Sequence, residues 1–132
     1  MTCQRGQALA EVALCLPIVL TLALGSVAVA RVADARGGLD AATAAAAQAA
    51  ARAPAPASAA GAAGGVFEAS VAAYGLTAPS LALDLGSFAR GAQISAAGSA
   101  QVDIGFAPVP GLPQRLTLSS RASARVEPWR SR

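Results

Sequence analysis

The chain has 132 residues, of which 55% are hydrophobic but only 4% aromatic, and its formal net charge is +3. That length leaves room for one small domain and excludes a large enzyme core. The ten basic residues are all Arg, scattered from Arg5 to Arg132 with no Lys or His, so no block of charge marks a nucleic-acid surface. The Arg and Ala excess reads as the composition of a GC-rich genome and carries little chemistry.

Residues 8–30 read ALAEVALCLPIVLTLALGSVAVA, 23 residues with one charge. As a helix this run covers ~35 Å against a hydrocarbon core of ~30 Å, enough to cross a bilayer with modest tilt. Pro17 removes one backbone hydrogen bond, which transmembrane helices tolerate. A helix would hold Cys3 and Cys15 ~18 Å apart, too far for a disulfide. No other cysteine exists, so folding of the remainder is independent of oxidation. Glu11 demands an account, because an ionised carboxylate within an apolar helix costs ~2.5–3.5 kcal/mol on insertion scales. Either it snorkels to the headgroups from the helix start, or it has a partner.

The run Arg5-Gly6-Gln7-Ala8-Leu9-Ala10-Glu11, followed by Val12-Ala13-Leu14-Cys15-Leu16-Pro17, resembles the N-terminus of TadE-like and TadG-like proteins of the tight-adherence pilus system. The resemblance implies a leader, residues 1–6, removed after Gly6 by a prepilin peptidase, so that Gln7 becomes the first mature residue and Glu11 the fifth. It also implies a cytoplasmic N-terminus and an extracytoplasmic C-terminal part at the cell membrane; Arg5 on one side and Arg31 with Arg36 on the other leave the charge rule undecided. Cleavage would free an α-amine at Gln7, with a pKa of about 7.7–8.0, one helical turn from Glu11. Pairing of that amine with Glu11 of a neighbouring subunit would set axial register. Gln rather than Phe at the first mature position, and a chain longer than the tiny major subunits, favour a minor pilin-like component. The implied partners are other pilin-like subunits, the assembly machinery, the prepilin peptidase and membrane lipid. A secretory signal peptide competes with this reading, using Arg5 as its basic region and Ala28-Val29-Ala30 as its cleavage site, although Glu11 and the length of the run argue against it.

Beyond the span, 7–32, the charges of 31–36 and the Ala-rich stretch up to Arg52 predict that the helix continues as an extension over 33–52, with Gly37-Gly38 as a loosening or kink. Residues 53–65, APAPASAAGAAGG, read as a flexible linker, because Pro, Gly and Ala alone bury no core. An exported α+β domain follows over 66–132. It begins with a short helix over 66–74. Strands are then predicted from the alternation of Leu81, Leu83 and Leu85, of Val102, Ile104 and Phe106, and of Leu116, Leu118, Ser120, Ala122, Ala124 and Val126. A Pro-rich loop, 108–113, separates the last two. The predicted class is α+β, a transmembrane helix with its Ala-rich extension and then a small antiparallel sheet. This order of elements also resembles the C-terminal part of TadE-like proteins.

Arg115, Arg121 and Arg125 fall on one strand face, either to meet an anionic partner or to guard an edge. Trp129 reads as a packing or interface residue. Without His or Lys, and with Asp84, Asp103 and Glu127 in no motif spacing, no catalytic, cofactor or metal site is expected. Two functions follow: a minor pilin-like membrane protein of pilus assembly or its secretion machinery, or a secreted or membrane-tethered binding or adhesion module.

Overall fold

In the computed structural model, residues 3–105 and 114–126 are described. The elements in chain order are α1 (Cys3–Arg52), α2 (Pro56–Ala73), β1 (Thr77–Asp84), β2 (Gln93–Asp103) and β3 (Arg115–Arg125). The class is α+β, as the patterning predicts. The chain divides into two compact units, Met1–Arg31 and Val32–Arg132.

The first unit is α1 up to Arg31. Nearly every side chain from Leu9 to Ala30 is exposed, including Leu9, Leu14, Leu16, Ile18, Leu22 and Val29. Thr21 and Ser26 return their hydroxyls to the helix, donating to the carbonyls of Pro17 at 2.7 Å and Leu22 at 2.8 Å. No polar side chain in this stretch other than Glu11 needs an outside partner for a charge. Among the described residues, α1 is the one helix long and apolar enough to cross a membrane.

The second unit is built on a three-stranded antiparallel sheet of order β1-β2-β3. Its core combines Leu39, Ala42, Ala46 and Ala50 of α1 and Ala59, Ala63, Phe67 and Val71 of α2 with Ile94, Ala100, Val102 and Leu118 of the sheet. The α1 and α2 sets recur at three- and four-residue steps, one stripe on each helix. α1 runs unbroken through Gly37-Gly38, where a kink was expected. Gly38 is buried, and a methyl group there would collide with the ring of Tyr74, so its function is close approach rather than flexibility.

The expected linker over 53–65 is corrected. Only residues 53–55 bend, and α2 begins at Pro56. Proline suits the first helical position, where its missing N–H would be unpaired anyway. The Ser58 hydroxyl donates to the Ala55 carbonyl at 2.9 Å across the first turn. Each helical Gly costs about 1 kcal/mol relative to Ala, but Ala59, Ala63, Phe67 and Val71 anchor the helix in the core. At its end Leu76 N–H bonds the Val71 carbonyl at 3.2 Å and Gly75 N–H the Ala72 carbonyl at 3.0 Å. This is a Schellman cap, which requires the left-handed Gly75, φ +65°.

The sheet register explains where the strand reading succeeded. In β3, Leu118 and Ser120 are buried and Leu116, Ala122 and Ala124 half-buried, while Arg115, Thr117, Ser119, Arg121, Ser123 and Arg125 are exposed, the alternation predicted. β1 begins at Thr77, with a bulge between Thr77 and Ser80, and places Leu81 and Leu83 half inside; Leu85 lies just past its end. β2 starts nine residues before Val102, at Gln93, and stops at Asp103, short of Ile104. Phe106, the loop 108–113, Glu127 and Trp129 lie outside the described residues.

Candidate functional site

Gly6, Gln7, Glu11 and Pro17 all lie on α1, so the predicted processing site and the carboxylate share one continuous helix. At 1.5 Å rise per residue, the Gln7 and Glu11 backbones stand ~6 Å apart along the axis, one turn and nearly one face. Glu11 is exposed, with Val12, Leu14, Leu16 and Ile18 exposed beyond it. In hydrocarbon, the eleven large apolar side chains between Leu9 and Val29 contribute roughly 3–7 kcal/mol toward insertion, against about 2.5–3.5 kcal/mol for Glu11. The helix tolerates the carboxylate, but at a cost that a partner would relieve. Cys15 is a free, exposed thiol on the same helix.

Three acids of the second unit have structural partners. Asp84 Oδ1 accepts the Gly86 N–H at 3.0 Å and Asp103 Oδ1 the Gly105 N–H at 2.8 Å, each closing a turn at a strand end. Asp40 Oδ1 accepts the Ser120 hydroxyl at 2.5 Å, linking α1 to β3. Among the described residues, no three His, Cys, Asp or Glu side chains gather as metal ligands would.

Two depressions in the second unit escaped sequence reasoning. One, of about 420 Å³, lies between α2 and β1 and is lined by Ala60, Gly64, Phe67, Glu68, Leu81 and Leu83, with Pro79 at its end. The other, of about 270 Å³, lies where the last turns of α1 meet the end of β3, between Gln48, Ala51 and Arg52 on one side and Ser123, Ala124 and Arg125 on the other. Residues more than seventy positions apart form the second, a juxtaposition with no local signal.

Comparison with curated proteins and with solved structures gives no match. A family model described as TadE-like protein matches residues 6–52. The match begins at the glycine of the predicted processing site, takes in Gln7, Glu11 and Pro17, and ends with the last residue of α1. Over this stretch, a little over a third of its length, the chain is similar to the TadE-like proteins.

Proposed function

We propose that the protein is a minor pilin-like membrane protein that takes part in assembly of a tight-adherence, type IV-like pilus or of its secretion machinery, without enzymatic activity of its own. The observation that carries this reading is the TadE-like match over residues 6–52, which coincides with a helix whose apolar side chains face outward from Leu9 to Val29. In this reading the helix crosses the cell membrane once, with the N-terminus cytoplasmic and the sheet-bearing unit outside. A prepilin peptidase cuts between Gly6 and Gln7. The new α-amine of one subunit then pairs with Glu11 of the next, offsetting the desolvation of both and fixing their stagger. Other pilin-like subunits and the assembly machinery are the partners, and lipid is the solvent of the span.

The deciding measurement is the N-terminal residue and intact mass of the protein isolated from its native membrane. A start at Gln7 supports processing of the prepilin type. A start at Arg31 refutes it in favour of an exported, signal-cleaved binding module, and an intact Met1 reduces the helix to a plain anchor.

A further inference from the structure

The groove between α2 and β1, about 420 Å³, is floored by Phe67, Leu81 and Leu83 and walled on the helix side by Ala60, Gly64 and Glu68. Glu68 is the only charge on α2 and is exposed at the rim; α2 and β1 together carry Glu68 and Asp84 and no base. The groove side of α2 is also built from glycine, at about 1 kcal/mol each relative to alanine. Within the chain, Gly38 and Gly98 show what such a residue is for, since a side chain of the protein lies where their methyl would be. Gly61 and Gly64 of α2 and Gly37 of α1 differ: among the described residues, a methyl on any of them meets nothing within 4 Å. The close neighbour that would offset their cost is outside the chain.

A strand is a poor occupant of the groove. Beside it β1 carries a bulge between Thr77 and Ser80, Ala78 at φ +49° and Pro79, which has no N–H to offer. A helix with a stripe of small residues fits, and the exposed face of α1 has one. Gly37, Ala41, Ala44 and Gln48 recur there at steps of four, three and four, with the exposed Arg36 beside Gly37. Read backwards, α2 presents Glu68, Gly64, Gly61 and Ala57 at the same steps. We propose that α1 of a second copy lies antiparallel along this groove, with Ala41 and Ala44 over Gly64 and Gly61 and Arg36 against Glu68. Matched small residues let the two helices approach to about 8 Å, the short end of the usual range, and the alanines cover the half-buried Leu81 and Leu83. With the helices parallel, the same charge pair would instead lay residues 25–35 along the groove, most of them from the apolar first unit. Groove and stripe are different surfaces, so each copy offers one of each and the copies join head to tail. The contact needs neither cleavage at Gly6 nor Glu11, and stands or falls apart from the processing of the N-terminus.

The test uses full-length chains in a Cys3→Ser, Cys15→Ser background, reconstituted in vesicles of zwitterionic lipid. One chain carries Ala44→Cys and the other, epitope-tagged, Gly61→Cys. Mild oxidation of the mixture yields the mixed disulfide, while neither variant alone yields a dimer. E68R on the Gly61→Cys chain lowers the yield about threefold or more, R36E on the Ala44→Cys chain does the same, and the two together restore it. Gly64→Gln, bulky but compatible with a helix, also lowers it; far-UV circular dichroism checks that each variant keeps its fold. The proposal is overturned by absence of the mixed disulfide, or by an equal yield of dimer from either cysteine variant alone, which would mean a symmetric contact. A yield indifferent to E68R or to Gly64→Gln overturns it as well, as does failure of the double exchange to restore the product.

Discussion

Replacing Gly98 by alanine should destabilise the second unit, and the structure sets the size of the effect. Gly98 lies on the central strand, opposite Leu81 on one side and Ser120 on the other. A methyl group there would lie 2.5 Å from Thr43 Oγ1, 2.7 Å from Phe67 Cε2 and 3.0 Å from Phe67 Cζ, against ordinary carbon contacts of about 3.5–4.0 Å. Neither neighbour has room to give. Thr43 and Phe67 are 0% and 1% exposed, and the Thr43 hydroxyl is held by the Leu39 carbonyl at 2.8 Å. Overpacking of this kind costs about 1–3 kcal/mol, less about 0.4–1 kcal/mol from the stiffer unfolded chain. The net loss of about 0–2.6 kcal/mol, centred at about 1.3, lowers Tm by about 5–10 °C at that centre, at about 4–8 °C per kcal/mol for a domain of this size. The assay is thermal unfolding in detergent, read from the strand signal by circular dichroism. Gly61→Ala is the control of opposite sign: Gly61 sits inside α2 with nothing within 4 Å of an added methyl, and gains up to about 1 kcal/mol from helix propensity. If Gly98→Ala matches the wild type, or stabilises as Gly61→Ala does, then α1 and α2 do not pack on β2 as described.

Other expectations follow from the same geometry. Phe67→Ala removes the largest fully buried side chain among the described residues and should cost about 3–5 kcal/mol, measured as a shift in denaturant midpoint. In intact vesicles from a Cys3→Ser background, Cys15 should resist a sulfonated, impermeant maleimide and react only slowly with a permeant one, because hydrocarbon suppresses the attacking thiolate, with both reacting after denaturing detergent; labelling by the impermeant reagent in intact vesicles would refute the membrane span. Glu11→Ala should leave the chain in the membrane fraction, since insertion becomes easier by about 2.5–3.5 kcal/mol, while co-isolation with other pilin-like subunits is lost. Unchanged co-isolation would remove Glu11 from any role in register.

What the sequence made legible follows side-chain size. α1 announces itself twice, first by a Leu/Val run and then by an Ala-rich run, and β3 by an alternation of Arg and Ser with Leu and Ala. The first half of α2 and the first nine residues of β2 were missed for a shared reason. Their inward positions are Ala59 and Ala63 in one and, after a lone Ile94, Ala96, Gly98 and Ala100 in the other, whose side chains are too small to stand out from their neighbours. Around α2, Pro54, Pro56 and three glycines gave a stronger but misleading signal for a linker. The resemblance over Gly6 to Pro17 was legible because those residues are sequential, and the family match and α1 both cover them. The Arg52–Arg125 cleft and the Asp40–Ser120 bond were not, because they join distant parts of the chain.

The alanines that read at first as genome composition have a packing role in the second unit. Ala35, Ala42, Ala46 and Ala50 of α1 join one core with Ala59 and Ala63 of α2 and Ala100 of β2. A buried methyl contributes only about 0.8 kcal/mol, against about 1.5–3 kcal/mol for a whole Leu or Phe side chain, but alanine gives up no rotamer freedom on burial. Such a core gains little from any single residue and depends on backbones lying close, the condition seen where Thr43 and Phe67 crowd Gly98 and Tyr74 covers Gly38. Its tolerance to mutation should therefore be lopsided. Truncation is costly at the few large anchors, Phe67, Leu39, Ile94 and Val71, whereas enlargement is costly at nearly every small inward position, because each added methyl must separate elements that have no slack.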